Sequence, residues 1–177
     1  MTVLLAGFLM VFGIFAAAPA AQAATYGPYV WANLHASEIA DHQLLDVAYP
    51  YTGDGTTIHL WHDNGPTQNQ RWYFDKVADH VYKFRNVQSN SCMDIQGPWT
   101  NDGTIVHQWH CYATTSQEWR QVFVKNYCNA DHSICAPQYA FVNVYANKCL
   151  DAKDAGWQDG TQVQIWSCSY ADNQLWY

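Results

Sequence analysis

An all-β globule in which one small unit is used three times is what this sequence predicts. The phrase "DGTIVHQWHC" (Asp102 to Cys111) recurs with small changes as "DGTTIHLWHD" (Asp54 to Asp63) and "DGTQVQIWSC" (Asp159 to Cys168). In each copy an Asp lies 15 residues ahead of the Trp of that phrase: Asp46 and Trp61, Asp94 and Trp109, Asp151 and Trp166. Composition agrees. Of the acids 13 are Asp and 2 are Glu, and Asp, Asn and Gly favour tight turns between short alternating runs. A unit too small to bury its own apolar face packs against its copies, and three units closing on an axis leave no open sheet edge.

The elements follow in order. Residues 1–24 form an apolar run ending in Ala-Gln-Ala, which predicts an export leader cleaved near Ala23 or Ala24. The run before Pro19 has the length of a leader core and is short for a membrane span, although no Lys or Arg precedes Arg71. Residues 25–177 are one domain's worth of chain. The copies fall at about 26–79, 80–124 and 138–177, with an insertion at 125–137.

Each copy opens on an aromatic-rich strand: "VWANL" (Val30 to Leu34), "KFRNV" (Lys83 to Val87) and "FVNVY" (Phe141 to Tyr145). A short apolar-Asp strand comes next: "LLDV" (Leu44 to Val47), "CMDI" (Cys92 to Ile95) and "CLDA" (Cys149 to Ala152). After Asp-Gly-Thr an alternating strand carries the Trp, and Gln-x-Trp closes the copy at Gln70 to Trp72, Gln117 to Trp119 and Gln174 to Trp176. Threefold packing would bring Trp72, Trp119 and Trp176 into one core, with each Gln satisfying nearby backbone. One helical turn is expected, at "SEIADHQ" (Ser37 to Gln43), with Ser37 as its cap.

Six cysteines in an exported chain predict three disulfides. The repeats pair Cys92 with Cys111 and Cys149 with Cys168, both 19 residues apart, and leave Cys128 for Cys135 within the insertion. The first copy has Leu44 and Asp63 at the matching places. Eight scattered Lys and Arg residues and a net charge of −7 argue against nucleic acid and anionic membrane as partners.

The pattern Cys-Leu-Asp, then Asp-Gly-Thr-x-Val-x-x-Trp-x-Cys, then Asn-Gln-x-Trp resembles the ricin B-chain type lectin domain, which also serves as a carbohydrate-binding module on bacterial xylanases and arabinofuranosidases. The resemblance spans Tyr26 to Tyr177. It implies a β-trefoil of twelve strands, up to three shallow sugar sites, no catalytic activity of the domain itself and no cofactor. It places the third site at Asp151, Gln164, Trp166, Asn173 and Gln174, and the first at Asp46, His59, Trp61, Asn69 and Gln70. The second has Asp94, His107, Trp109 and Gln117, but Ser116 stands where the Asn belongs and ranks this site last. Galactose is the common ligand of this residue set, with xylose polymers and mannosides as variations.

Those residue types suit a saccharide. An ionised carboxylate accepts from two adjacent hydroxyls, an Asn amide donates to the same edge, and an indole face covers the aliphatic C–H patch. Three rival classes stand beside this reading. The pairs His59 with His62 and His107 with His110 suggest a metal site, but residues three apart on a strand face opposite sides and make a poor chelate. A hydrolase would need two carboxyls facing one bond, and each repeat offers one Asp. A binding subunit of a multichain secreted toxin or other complex is the runner-up, with "KNYCNADHSIC" (Lys125 to Cys135) as the expected protein contact.

Overall fold

The computed structural model describes residues 23–35, 42–128 and 135–177. Eleven strands are defined among them: β1 (Thr25–Tyr29), β2 (Gln43–Val47), β3 (Ile58–His62), β4 (Trp72–Ala78), β5 (Val81–Asn86), β6 (Cys92–Ile95), β7 (Thr104–Trp109), β8 (Trp119–Cys128), β9 (Cys135–Asn143), β10 (Cys149–Ala152) and β11 (Val163–Trp166). Short 3-10 turns at Gln68–Gln70, Thr115–Gln117 and Asp172–Gln174 lead into the three closing tryptophans. The fold is a β-trefoil.

Strands β4, β5, β8 and β9 form the wall of a barrel through antiparallel ladders. The wall closes through equivalent pairings in the three repeats: Tyr29 opposite Trp72, Tyr82 opposite Trp119 and Tyr139 opposite Trp176. The hairpins β2–β3, β6–β7 and β10–β11 cap one end. Trp72, Trp119 and Trp176 are 0% exposed and share one core with Trp31, Phe74, Phe84 and Phe141. Each ring contributes a few kcal/mol by burial, about the upper range for a side chain. Each indole N–H also donates to the carbonyl just before the repeated Asp: Leu45 at 3.0 Å, Met93 at 3.2 Å and Leu150 at 3.3 Å. The core thus holds the strand that carries each acid.

The three disulfides form as the repeats require, Cys92 to Cys111, Cys149 to Cys168 and Cys128 to Cys135. Several details differ from expectation. In the first copy "VWANL" makes only single bridges, Ala32 to Leu44 and Asn33 to Trp176, and the ladder to β4 comes from the preceding β1. Gly27-Pro28 falls at the register shift between Tyr26 and Tyr29 in that ladder. The insertion is no separate loop at its ends: Lys125 to Cys128 and Cys135 to Pro137 continue the β8–β9 hairpin, with Cys128 opposite Cys135. Of the expected helical turn, Ser37 to Asp41 lie outside the described residues, and Gln43 is the first residue of β2. Residues 1–22 of the expected leader also lie outside the described residues.

Candidate functional site

Hairpin register builds the same constellation three times. Asp46 lies opposite His59, Asp94 opposite His107, and Asp151 opposite Gln164. Two residues on, and so on the same face of the strand, come Trp61, Trp109 and Trp166. The fixed offset of 15 is therefore a statement about pairing: the Asp meets its cross-strand partner, and the indole follows beside it.

In the third repeat Asp151 Oδ1 accepts from Gln164 Nε2 at 2.9 Å, and Oδ2 from Asn173 Nδ2 at 2.8 Å and Gln174 Nε2 at 2.9 Å. Burial, opposed by these amide donors, leaves the Asp151 carboxyl above the usual 3.8. Trp166 is 43% exposed at the mouth. The cavity, about 220 Å³, is lined by Asp151, Gln164, Trp166 and Asn173, with Asp154 and Ala155 from the adjoining turn.

In the first repeat Asp46 Oδ1 lies 3.1 Å from His59 Nε2, and Oδ2 accepts from Asn69 Nδ2 at 2.8 Å. The Trp61 ring stacks on His59, with centroids 5.2 Å apart. This cavity is larger, about 700 Å³, and has a second aromatic wall in Tyr49 facing the Asp46, His59, Trp61 and Asn69 set.

The second repeat departs from its copies. Asp94 Oδ2 accepts from Gln117 Nε2 at 2.9 Å, but the buried Oδ1 has no partner. Ser116 turns to Thr114 instead, its hydroxyl 3.1 Å from the Thr114 hydroxyl. His107 stacks on Trp109 at 5.4 Å, and burial, opposed by Asp94 and Asp54, lowers its pKa from the usual 6.5.

The acids lie below the surface: Asp46, Asp94 and Asp151 are 2–3% exposed. They tolerate this depth because side-chain amides or an imidazole surround them. Gln70, Gln117 and Gln174 are also buried, and their amides serve the protein. Gln70 donates to His62 O, Gln117 to His110 O and Gln174 to Ser167 O, and their carbonyls accept from Asn64, Tyr112 and Ser169 backbone N–H groups. These glutamines pin the loop after Trp61, Trp109 and Trp166, the backbone role expected of them.

A third set escaped the sequence reading. Asn33, Asn86 and Asn143 are wholly buried, and each amide donates to the backbone carbonyl at the position of the site Asn: Asn173 at 3.0 Å, Asn69 at 2.9 Å and Ser116 at 2.8 Å. The signal was present, an Asn two residues after the aromatic of each opening strand. The paired histidines face different partners: His59 meets Asp46, and His62 meets Asp159. Among the described residues no group of three or more His, Cys, Asp or Glu side chains is placed to hold a metal ion.

Comparison with known proteins fits this geometry. The family described as ricin-type β-trefoil lectin domain-like matches residues 68–129 and 115–177. A designed threefold-symmetric protein, ThreeFoil, superposes with a TM-score of 0.70 at 28% identity, covering 84% of this chain and 94% of that one. The ricin B-like lectin of Macrolepiota procera, solved with lactose, superposes with a TM-score of 0.63 at 20% identity, covering 90% of this chain and 96% of its own. Serine protease 1 of Rarobacter faecitabidus is 56% identical over 36 residues, which are 20% of this chain and 7% of the protease. With its three register-matched repeats and a match over more than half its length, the chain belongs to the ricin-type β-trefoil lectin domain-like family.

Proposed function

We propose that the protein binds galactose-type pyranosides, or related xylan-like glycans, without catalysis, through the cavities of the first and third repeats. The observation that carries this reading is the repeated meeting of a carboxylate, an Asn amide and an accessible indole in one concave site, at Asp46, Asn69 and Trp61 and again at Asp151, Asn173 and Trp166. Carboxylate lone pairs beyond those already used take hydroxyl protons, and the indole receives the C–H face. The lactose bound by the Macrolepiota procera lectin supports a galactoside as the first ligand to try. Shallow sites bind weakly one at a time, so two or three on one body favour branched or polymeric glycans. The three disulfides support an exported protein in an oxidising compartment.

A glycan array followed by calorimetry on Asp46→Ala, Asp94→Ala and Asp151→Ala tests the proposal. Loss of heat in Asp46→Ala and Asp151→Ala supports it; unchanged binding in all three removes it. Release of reducing sugar from the same glycans would remove the non-catalytic part. A second reading, a subunit that also contacts a partner protein, draws support from exposed Phe123 and Tyr127 on the β8–β9 hairpin. Co-purification of a second polypeptide, lost in Phe123→Ser, tests it.

A further inference from the structure

The aspartate of Asp-Gly-Thr lines neither of the cavities described above, yet it recurs in every repeat. Its carboxylate reaches into the next repeat around the axis. Asp54 of the first repeat accepts the His110 backbone N–H at 2.6 Å and lies 2.7 Å from His110 Nδ1 in the second. Asp102 of the second accepts Ser167 N–H at 2.8 Å, the Ser167 hydroxyl at 3.0 Å and Lys148 Nζ at 2.6 Å in the third. Asp159 of the third accepts His62 N–H at 2.8 Å and lies 2.7 Å from His62 Nδ1 in the first. The residue gripped is each time the one that follows Trp61, Trp109 or Trp166.

The adjoining glycines approach the same strands. Backbone N–H groups of Gly55, Gly103 and Gly160 donate to Gln108, Ile165 and Leu60 carbonyls at 2.9, 3.0 and 2.9 Å. A Cβ on Gly55 would lie 3.8 Å from the Trp109 ring, and one on Gly103 3.8 Å from the Trp166 ring. In two repeats the gripped imidazole also lies against the indole, His62 to Trp61 at 5.8 Å and His110 to Trp109 at 5.9 Å.

We infer that Asp159, Asp54 and Asp102 are positioning residues for Trp61, Trp109 and Trp166 respectively, so that each saccharide site is shared between two neighbouring repeats. The inference rests on the saccharide reading for its functional half. Its physical basis is preorganisation: the indole sits at or near the end of a strand, and a carboxylate bonded to the next backbone N–H fixes its departure. The first repeat, with no disulfide there, has the greatest need of this brace. These carboxylates are about one-third exposed, so screening limits their long-range attraction and the effect lies in the hydrogen-bond geometry.

The full chain with Asp54→Asn, Asp102→Asn or Asp159→Asn tests the inference by 1H–15N spectra of the nine tryptophan indoles, assigned by single Trp→Phe changes. Without sugar, each Asp variant should displace the indole signal of the next repeat: Trp109, Trp166 and Trp61 in that order. With lactose added, affinity read at Trp166 in Asp102→Asn and at Trp61 in Asp159→Asn should fall about tenfold, while the other of these two sites holds. Displacement in the variant's own repeat, equal displacement of Trp61, Trp109 and Trp166, or none at all overturns the inference. If lactose moves no wild-type indole while the sugar-free displacements follow the cyclic order, the saccharide reading fails and the positioning role stands.

Discussion

Asp151→Asn and Asp94→Asn are the same chemical change at equivalent places, and the structure predicts different outcomes. At Asp151 both oxygens accept: Gln164 on one, Asn173 and Gln174 on the other. An Asn keeps one acceptor. Its better orientation retains the Asn173 and Gln174 bonds and sets an amide nitrogen against Gln164 Nε2. One charge-assisted bond, worth about 1.5–3 kcal/mol, is lost and the two retained bonds weaken. Relief of a buried charge, and rotation of the Gln164 amide, offset part of this, leaving a net loss of about 1–3 kcal/mol. At Asp94 only Oδ2 is engaged, by Gln117, while Oδ1 has no partner. Asn fits there with its oxygen toward Gln117, so stability stays within about 0.5 kcal/mol of the parent or rises. Urea unfolding at pH 7 with the disulfides intact measures both. Equal destabilisation by the two changes, or a neutral Asp151→Asn, would refute the hydrogen-bond assignment that underlies the site.

Trp176→Ala should cost about 3–5 kcal/mol in urea unfolding, as for a large buried ring. Trp166→Ala should cost less than about 1 kcal/mol and instead abolish saccharide heat at the third cavity in calorimetry. Opening the Cys149–Cys168 bridge with paired Ser substitutions should lower stability by about 3 kcal/mol by the same unfolding measurement. Acid should separate binding from folding. The Asp151 pKa is raised in the fold, so its contribution to stability is largest below 3.8 and disappears as pH rises through its folded value; binding runs the other way and needs the ionised acid. Asp54, Asp102 and Asp159 are held below 3.8, chiefly by His110 and Lys148 for the first two and, against burial, by His62 for the third. Their stabilisation is present above 3.8 and goes only as pH falls through those lower values. Stepped-pH calorimetry and circular dichroism should therefore show saccharide lost at the third cavity, with a midpoint above 3.8, before the fold is lost.

Much of this was legible from spacing, because a hairpin register is a spacing. The offset of 15 from each Asp put Trp61, Trp109 and Trp166 at matching places, the family resemblance set His59, His107 and Gln164 beside them, and the pairing follows. Repeat symmetry likewise gave the three disulfides and the buried ring of Trp72, Trp119 and Trp176. Depth was not legible. Spacing alone did not tell that Asp46 or Asp151 sits below the surface among amides. Nor does one repeat's sequence reveal what its turn touches in the next: the carboxylates of Asp54, Asp102 and Asp159 acquire partners only when the trefoil closes. The Ser116 exchange flagged the second site, and the structure adds a separate departure: the Asp94 oxygen left without a donor is the one that His59 or Gln164 meets in the other copies.

Diffraction from crystals soaked in saturating lactose tests saccharide recognition most directly. The predicted result is a galactose ring laid on Trp61 and on Trp166, its adjacent hydroxyls toward Asp46 with Asn69 and Asp151 with Asn173. Sugar bound elsewhere on the barrel, or both cavities free of sugar at saturation, would contradict the account.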